Sequence, residues 1–248
     1  RREMPAEPIL YLADTAWCPY GGRPQAEIRE RSLAIARYLV ARGAKALVVA
    51  CNTASAAALE ALRAELDVPV VGVEPAVKPA AAATRNRRIA VLATEATLAA
   101  ERFDRLMHSY ASDIEVVSLP GTGFVEMVEA GEVEGEAVRR RVAEVVEPLT
   151  RADVDTVVLG CTHYPFLGAA ISDALGSGVT VIDTGPAIAR QTAHVLDEHG
   201  LRADSDDREG WLRVLTMGDV ERVRPVVERL LAIEPGAVGC DGVEHADV

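Results

Sequence analysis

The chain has 248 residues, of which 49% are hydrophobic, 26% charged and only 4% aromatic. That composition excludes a disordered chain or a disulfide-stapled mini-protein and calls for one or two globular domains with cores of Ala, Val, Leu and Ile. Its 38 acidic and 26 basic residues leave a formal charge of -12, which argues against a broad phosphate-tracking surface and against nucleic acid as a direct partner.

Short β-rich apolar runs alternate with longer segments of helical period, the pattern of βα units feeding a mostly parallel sheet. In chain order, strands are expected near Pro8 to Asp14, Ala46 to Cys51, Val68 to Val73, Arg88 to Thr94, Ile114 to Leu119, Asp155 to Cys161, Val179 to Asp183 and Leu212 to Thr216. Helices are expected at Gln25 to Arg42, Ala54 to Leu66, Thr97 to Tyr110, Glu134 to Thr150, Pro186 to Glu198 and Val220 to Ala232. The acidic stretch Arg202 to Gly210 reads as a surface loop, and the Gly-rich, acidic tail after Glu234 as mobile.

Two stretches of this pattern resemble one another: LVVACNTAS from Leu47 to Ser55 and VVLGCTHYP from Val157 to Pro165. Each is a buried-type strand ending in cysteine with threonine just beyond, and the cysteines, Cys51 and Cys161, lie 110 positions apart. The repetition implies an α/β fold of two similar three-layer halves with mostly parallel sheets and the active site in the cleft between them. The expected division is residues 1–86 completed by 211–248 as the first half, and 87–210 as the second. In open α/β sheets ligands gather at the carboxyl ends of the strands, where both cysteines sit.

A thiol between a strand end and a helix start lies at the positive end of the helix dipole, which is expected to lower its pKa and let it act as a base. Two such thiols facing each other across a cleft can flank one substrate carbon. One removes a proton and the other returns it on the opposite face, which inverts a stereocentre. Each sulfur would stand about 3 to 3.5 Å from that carbon. Asn52, Thr53, Thr162 and His163 supply donors beside the thiols that suit a bound carboxylate. A single Cys-x-His pair, Cys161 with His163, has no further ligand at metal spacing, so no metal site is expected. Cys18 and Cys240 read as structural or surface cysteines. His108, His194, His199 and His245 read as solvated.

Lysine is confined to Lys45 and Lys78, neither in a phosphate-cradling context, so a pyridoxal Schiff base has little to build on and a cofactor-free chemistry is expected. No C-x-x-C pair, signal peptide or apolar run of the ~18 residues needed to span a bilayer is found, so the expected setting is cytoplasmic, with reduced thiols and no membrane partner.

DTAWCPYG (Asp14 to Gly21), ACNTASA (Ala50 to Ala56), IAVLATEAT (Ile89 to Thr97), GFVEMVEAG (Gly123 to Gly131), GCTHYPFL (Gly160 to Leu167) and LTMGDVERV (Leu215 to Val223) occur in this order. In these segments the chain resembles the glutamate racemases, cofactor-independent members of the aspartate/glutamate racemase family. The resemblance implies two-base interconversion of L- and D-glutamate for peptidoglycan synthesis, with Cys51 and Cys161 as the acid/base pair and glutamate as the small-molecule partner. It implies that Tyr20, Gly21, Asn52, Thr53, Thr97, Thr162 and His163 hold the substrate, that Glu129 with His163 assists Cys161, and that the protein is a homodimer. One departure accompanies it: the family's opening strand and Asp-Ser-Gly-x-Gly-Gly loop have no counterpart in this sequence. The first half is therefore expected to lack a central strand. The alternatives are a racemase of aspartate or another amino acid, and a catalytically impaired protein kept for binding.

Overall fold

The computed structural model describes residues 3–203, 210–233, 240 and 242–248. Strand β1 (Ile9–Ala13) leads through a loop to α1 (Gln25–Ala41), then β2 (Leu47–Val49), α2 (Asn52–Glu65), β3 (Val70–Gly72) and α3 (Val77–Ala83). Helix α2 owes its stability to an alanine-rich sequence of high helical propensity. Its small side chains Ala54, Ala57 and Ala58 are buried, and α1 packs closely on it.

The next elements are β4 (Arg88–Ala93), α4 (Glu95–Leu98), α5 (Glu101–Tyr110), β5 (Glu115–Pro120), α6 (Phe124–Glu129), α7 (Glu136–Arg151), β6 (Thr156–Leu159), a 3-10 turn (Tyr164–Leu167), α8 (Gly168–Leu175), β7 (Thr180–Asp183) and α9 (Gly185–Glu198). They build a parallel sheet of order β5-β4-β6-β7. Its two central strands are covered on both faces, which is why RIAVLA and TVVL are nearly continuous apolar runs and why Ile89, Ala90, Val91, Leu92, Val157 and Val158 have no exposed surface. The chain then adds β8 (Leu212–Thr216), α10 (Val220–Ile233) and β9 (Gly242–His245).

Every strand expected from the sequence is present, and every paired strand is parallel. Two details differ. The segment read as one helix from Thr97 to Tyr110 is two helices, α4 and α5, because the chain turns at Ala99 and the extended Ala100 restarts the second. The tail read as mobile contains β9, which pairs in parallel with β8 from Gly242 to His245 and buries Val243. Alternation in GVEH and the support of Val214 outweigh the poor strand propensity of glycine and glutamate. Positions 234–239 and 241 of that tail, and 204–209 of the acidic stretch, lie outside the described residues.

The remaining strands form two separate sheets, β1-β8-β9 and β2-β3. Strands β1 and β2 do not pair with each other, and their central residues Tyr11 and Val48 are exposed. Helix α9 packs against β3, with Ile188 and Val195 lining a cleft shared with Val70, Val71 and Gly72.

Asp155 fixes the turn that feeds the central strand β4. Its carboxylate accepts the backbone N–H groups of Arg85 (2.6 Å) and Asn86 (2.9 Å) and the Thr156 hydroxyl (2.9 Å). Burial opposes ionisation, but these hydrogen bonds and one from Thr84 outweigh it and lower the pKa from the usual 3.8 to about 2. A carboxyl depressed in the folded state stabilises above its unfolded pKa and loses that effect as pH falls through the folded value, here between about 4 and 2. The shift corresponds to about 2 kcal/mol. Asp155→Asn should therefore lower unfolding stability by about 2 kcal/mol at pH 6, and the gap to the parent should narrow as pH approaches 2 in urea titrations.

Candidate active site

The two cysteines end equivalent strands but sit in different local structure. Cys51 is the N-cap of α2, its sulfur accepting the Ala54 N–H at 3.4 Å. Cys161 is buried, 7% exposed, and runs into the 3-10 turn rather than an α-helix, its carbonyl accepting the Tyr164 N–H at 3.1 Å. Gly160 is required before it: a Cβ there would stand 2.9 Å from the Cβ of Ala93 and 3.3 Å from the carbonyl oxygen of Leu92. The close approach of β6 to β4 thus sets where Cys161 is delivered.

One contact closes the two halves of the site on each other. The Thr162 hydroxyl, next to Cys161, donates to the carbonyl of Ala50, next to Cys51, at 3.0 Å. Cys161 is near enough to Cys51 for its charge to raise the cost of ionising Cys51.

The Cys51 thiol is pushed above its ordinary pKa, first by burial, and the N–H groups of Ala54 and Thr53 only partly offset this. The helix-start argument alone predicted the opposite direction; desolvation of a sulfur packed near Tyr20, Ile28 and Ala54 outweighs the dipole. On the other side, His163 Nδ1 stands 3.8 Å from the Cys161 sulfur and its Nε2 stands 2.7 Å from Glu129 Oε1. Burial opposes the imidazolium, yet hydrogen bonding with Cys161, Cys18 and Glu129 wins and holds His163 well above the usual histidine range. Glu129, at the end of α6, is held below the usual carboxylate range by that same histidine. The pair is an imidazolium and a carboxylate at neutral pH, placed behind Cys161.

The remaining expected residues surround this pair. Thr53, Thr94 and Thr97 form a hydroxyl cluster, Thr53 Oγ1 lying 2.9 Å from that of Thr94 and 3.1 Å from that of Thr97. Asn52 is 4% exposed, and neither its Nδ2 nor its Oδ1 has a hydrogen-bond partner. Because an unpaired buried amide costs roughly 1 to 3 kcal/mol, it is the group here most in need of a ligand. The Tyr20 hydroxyl is already engaged, donating to Asp14 Oδ2 at 2.7 Å. Arg31 holds that aspartate through two nitrogens, Nε at 2.9 Å and Nη2 at 2.8 Å, so Asp14 and Arg31 set the position of the Tyr20 turn. Gly21 packs against Thr94: a Cβ there would meet the threonine Cβ at 3.2 Å.

Asp14, Arg31 and Cys18 are the neighbours that sequence reasoning left aside. Cys18, read as structural or surface, donates its thiol proton to Glu129 Oε1 at 3.6 Å. The two lysines are engaged elsewhere, Lys45 with Glu7 at 2.9 Å and Lys78 over the Tyr110 ring. His108, His194, His199 and His245 are exposed, as expected.

The model of the Asp/Glu/Hydantoin racemase family matches residues 1–192. The chain belongs to this family. The chain is 44% identical over 241 residues to the glutamate racemase of Ralstonia pickettii, a match covering 97% of this chain and 85% of the relative. Among solved structures it is similar to a glutamate racemase isoform from Bacillus anthracis, with a TM-score of 0.88 and 33% identity over 100% of this chain and 90% of the other. It is also similar to Escherichia coli glutamate racemase in complex with L-glutamate and the activator UDP-MurNAc-ala, with a TM-score of 0.85 and 33% identity over 98% of this chain and 90% of that one. The family's α/β architecture with mostly parallel sheets is the one described above.

Proposed function

We propose that this racemase-family chain interconverts L- and D-glutamate without a cofactor, by proton transfer between Cys51, the substrate α-carbon and Cys161. The observation that carries this reading is the hydrogen bond from Thr162 to Ala50, which ties the two cysteine-bearing strand ends together. A substrate carbon between the sulfurs loses its proton to one thiolate and gains one from the opposing thiol, so the configuration inverts and the enzyme ends with its protons exchanged. His163, held by Glu129, offers positive charge to the thiolate of Cys161.

Asn52, with its buried and unpartnered amide, is the first candidate to hold substrate. Thr53, Thr97, Thr162 and His163 supply further hydroxyl and imidazole donors, and Tyr20 and Gly21 wall the site from the first half. The relatives named above are glutamate racemases, which favours glutamate over aspartate. The same reading includes division into residues 1–86 with 211–248 and residues 87–210, a homodimer, a cytoplasmic setting and supply of D-glutamate for peptidoglycan. Among the described residues no helix is long and apolar enough to cross a membrane.

The test is circular-dichroism turnover of L- and D-glutamate against L- and D-aspartate by the purified chain. Rapid loss of optical activity from both glutamate enantiomers and not from aspartate is expected; equal turnover of aspartate, or none of either, defeats the proposal.

The pH dependence follows from Cys51. Its raised pKa keeps it a thiol at neutral pH, above the ~8.5 of a free cysteine. For the enantiomer whose proton Cys51 must remove, kcat/KM should rise as pH climbs through that pKa. For the enantiomer to which Cys51 must deliver a proton, it should fall over the same interval. Profiles measured separately for the two enantiomers check the sign, and two profiles rising together would contradict the assignment.

A further inference from the structure

Behind Cys161 the fold assembles a third metal-competent ligand that sequence spacing could not have associated with His163. Cys18 lies in the loop after β1, Glu129 at the end of α6 and His163 after β6. The Cys18 sulfur is 3.6 Å from Glu129 Oε1, His163 Nε2 is 2.7 Å from that oxygen, and one ligating atom of each residue lies within 4.8 Å of the other two. Tetrahedral zinc with bonds of ~2.0 to 2.3 Å spaces its ligand atoms by ~3.3 to 3.8 Å. The Cys18–Glu129 pair already has that spacing, and the His163–Glu129 pair reaches it by opening about 0.6 Å.

We propose that Cys18, Glu129 and His163 form an inhibitory binding site for a thiophilic divalent cation of the zinc class. One thiolate, one imidazole and one carboxylate is a donor set that suits zinc and discriminates against magnesium and calcium, which take oxygen ligands. The site is reachable from solvent, since the side chains of His163 and Glu129 are 25% and 36% exposed and Cys18 is half-buried. The chain's charge of -12 favours approach of a cation. Three protein ligands leave one coordination position open for water.

Binding sends the Cys18 thiol proton and the His163 ring proton to solvent and makes metal–sulfur, metal–nitrogen and metal–oxygen bonds. The ion thereby takes Glu129 and His163 Nε2 out of the hydrogen-bonded chain that ends at Cys161. The inhibitory half rests on the proton-transfer role proposed for Cys161; the binding half does not.

Cobalt(II) is the spectroscopic probe and zinc the functional one. The parent chain should bind one cobalt with a thiolate-to-metal charge-transfer band, and zinc by equilibrium dialysis should compete one for one. Cys18→Ser should lose the band and weaken zinc by more than the ~10- to 100-fold that loss of a supporting contact costs. Cys18→Ala guards against a fold effect of serine, and far-ultraviolet circular dichroism confirms that both variants fold. In glutamate assays, zinc concentrations that silence the parent should leave each variant at its own zinc-free rate. A charge-transfer band retained in both variants, or zinc inhibition unchanged in them, places the ion on Cys51 and Cys161 and overturns the proposal, as does a parent with no thiolate band. If the chain fails to racemise glutamate but shows the Cys18-dependent band, the functional reading falls and the metal site stands.

Discussion

Replacing either Cys51 or Cys161 by alanine is expected to lower racemisation of glutamate by ~10²- to 10⁴-fold, the range for losing one positioned acid or base. The two losses should not add. Inversion needs both sulfurs in one event, so the double variant should be about as slow as the slower single one. The single variants remain informative because each keeps one base. With Cys161 absent, a thiolate at Cys51 can still remove the α-proton of the enantiomer that faces it, and can return only a proton to the same face. The expected result is solvent-deuterium exchange at the α-carbon of one enantiomer without inversion, and of the opposite enantiomer in the other variant. Proton NMR in deuterium oxide reads this directly. Cys51→Ser separates chemistry from fold: serine is a favoured N-cap and can take over the bond from the Ala54 N–H, yet its hydroxyl is a much weaker base. Exchange of both enantiomers by either single variant would show that the bases are not these two sulfurs.

What the sequence reveals and conceals about this site follows from contact distance along the chain. The strands β4 and β6 were legible because both faces are covered and every residue must be apolar. The duplicated strand-Cys-Thr pattern was legible because the same local geometry recurs. Local resemblance also misled: it suggested two helix-start thiols, whereas the residues after Cys161 form a 3-10 turn and the Cys51 thiol is raised by burial, a property of tertiary packing. The clasp from Thr162 to Ala50 spans 112 positions and the approach of Cys18 to Glu129 spans 111, and neither leaves a periodic trace. Glu129 entered the reading through family resemblance, whereas His163 stood out by its place two residues after Cys161. Their separation of 34 positions puts one at a helix end and the other in a loop, with no spacing rule to pair them. Strand β9 was hidden for a different reason, since its glycine and glutamate read as tail and only the edge of β8 makes them a strand.

The other large effect concerns the wall that carries Glu129. Phe124 begins α6, has no exposed surface, and meets Tyr164 edge to face with ring centres 5.3 Å apart and planes at 85°. The Tyr164 hydroxyl donates to the carbonyl of Gly121 at 3.2 Å, so the two rings join the loop after β5, helix α6 and the turn after His163 into one block. Phe124→Ala should cost ~3 to 5 kcal/mol, because the ring's burial is lost and a cavity is left beside Tyr164. At about 2 to 4 °C per kcal/mol for a chain of this size, the melting temperature should fall by roughly 6 to 20 °C. Phe124→Leu, which refills most of the volume, should cost less than about 1.5 kcal/mol. The functional consequence separates packing from positioning. Val125 and Val128 still anchor α6, so the helix persists, but its distance from the 3-10 turn is no longer set by ring contact. At a temperature where Phe124→Ala remains folded, the Glu129–His163 contact should loosen and kcat should fall while KM changes little, with Phe124→Leu close to the parent in both. Equal kcat in Phe124→Ala and the parent would mean that Val125 and Val128 alone hold Glu129 in register with His163.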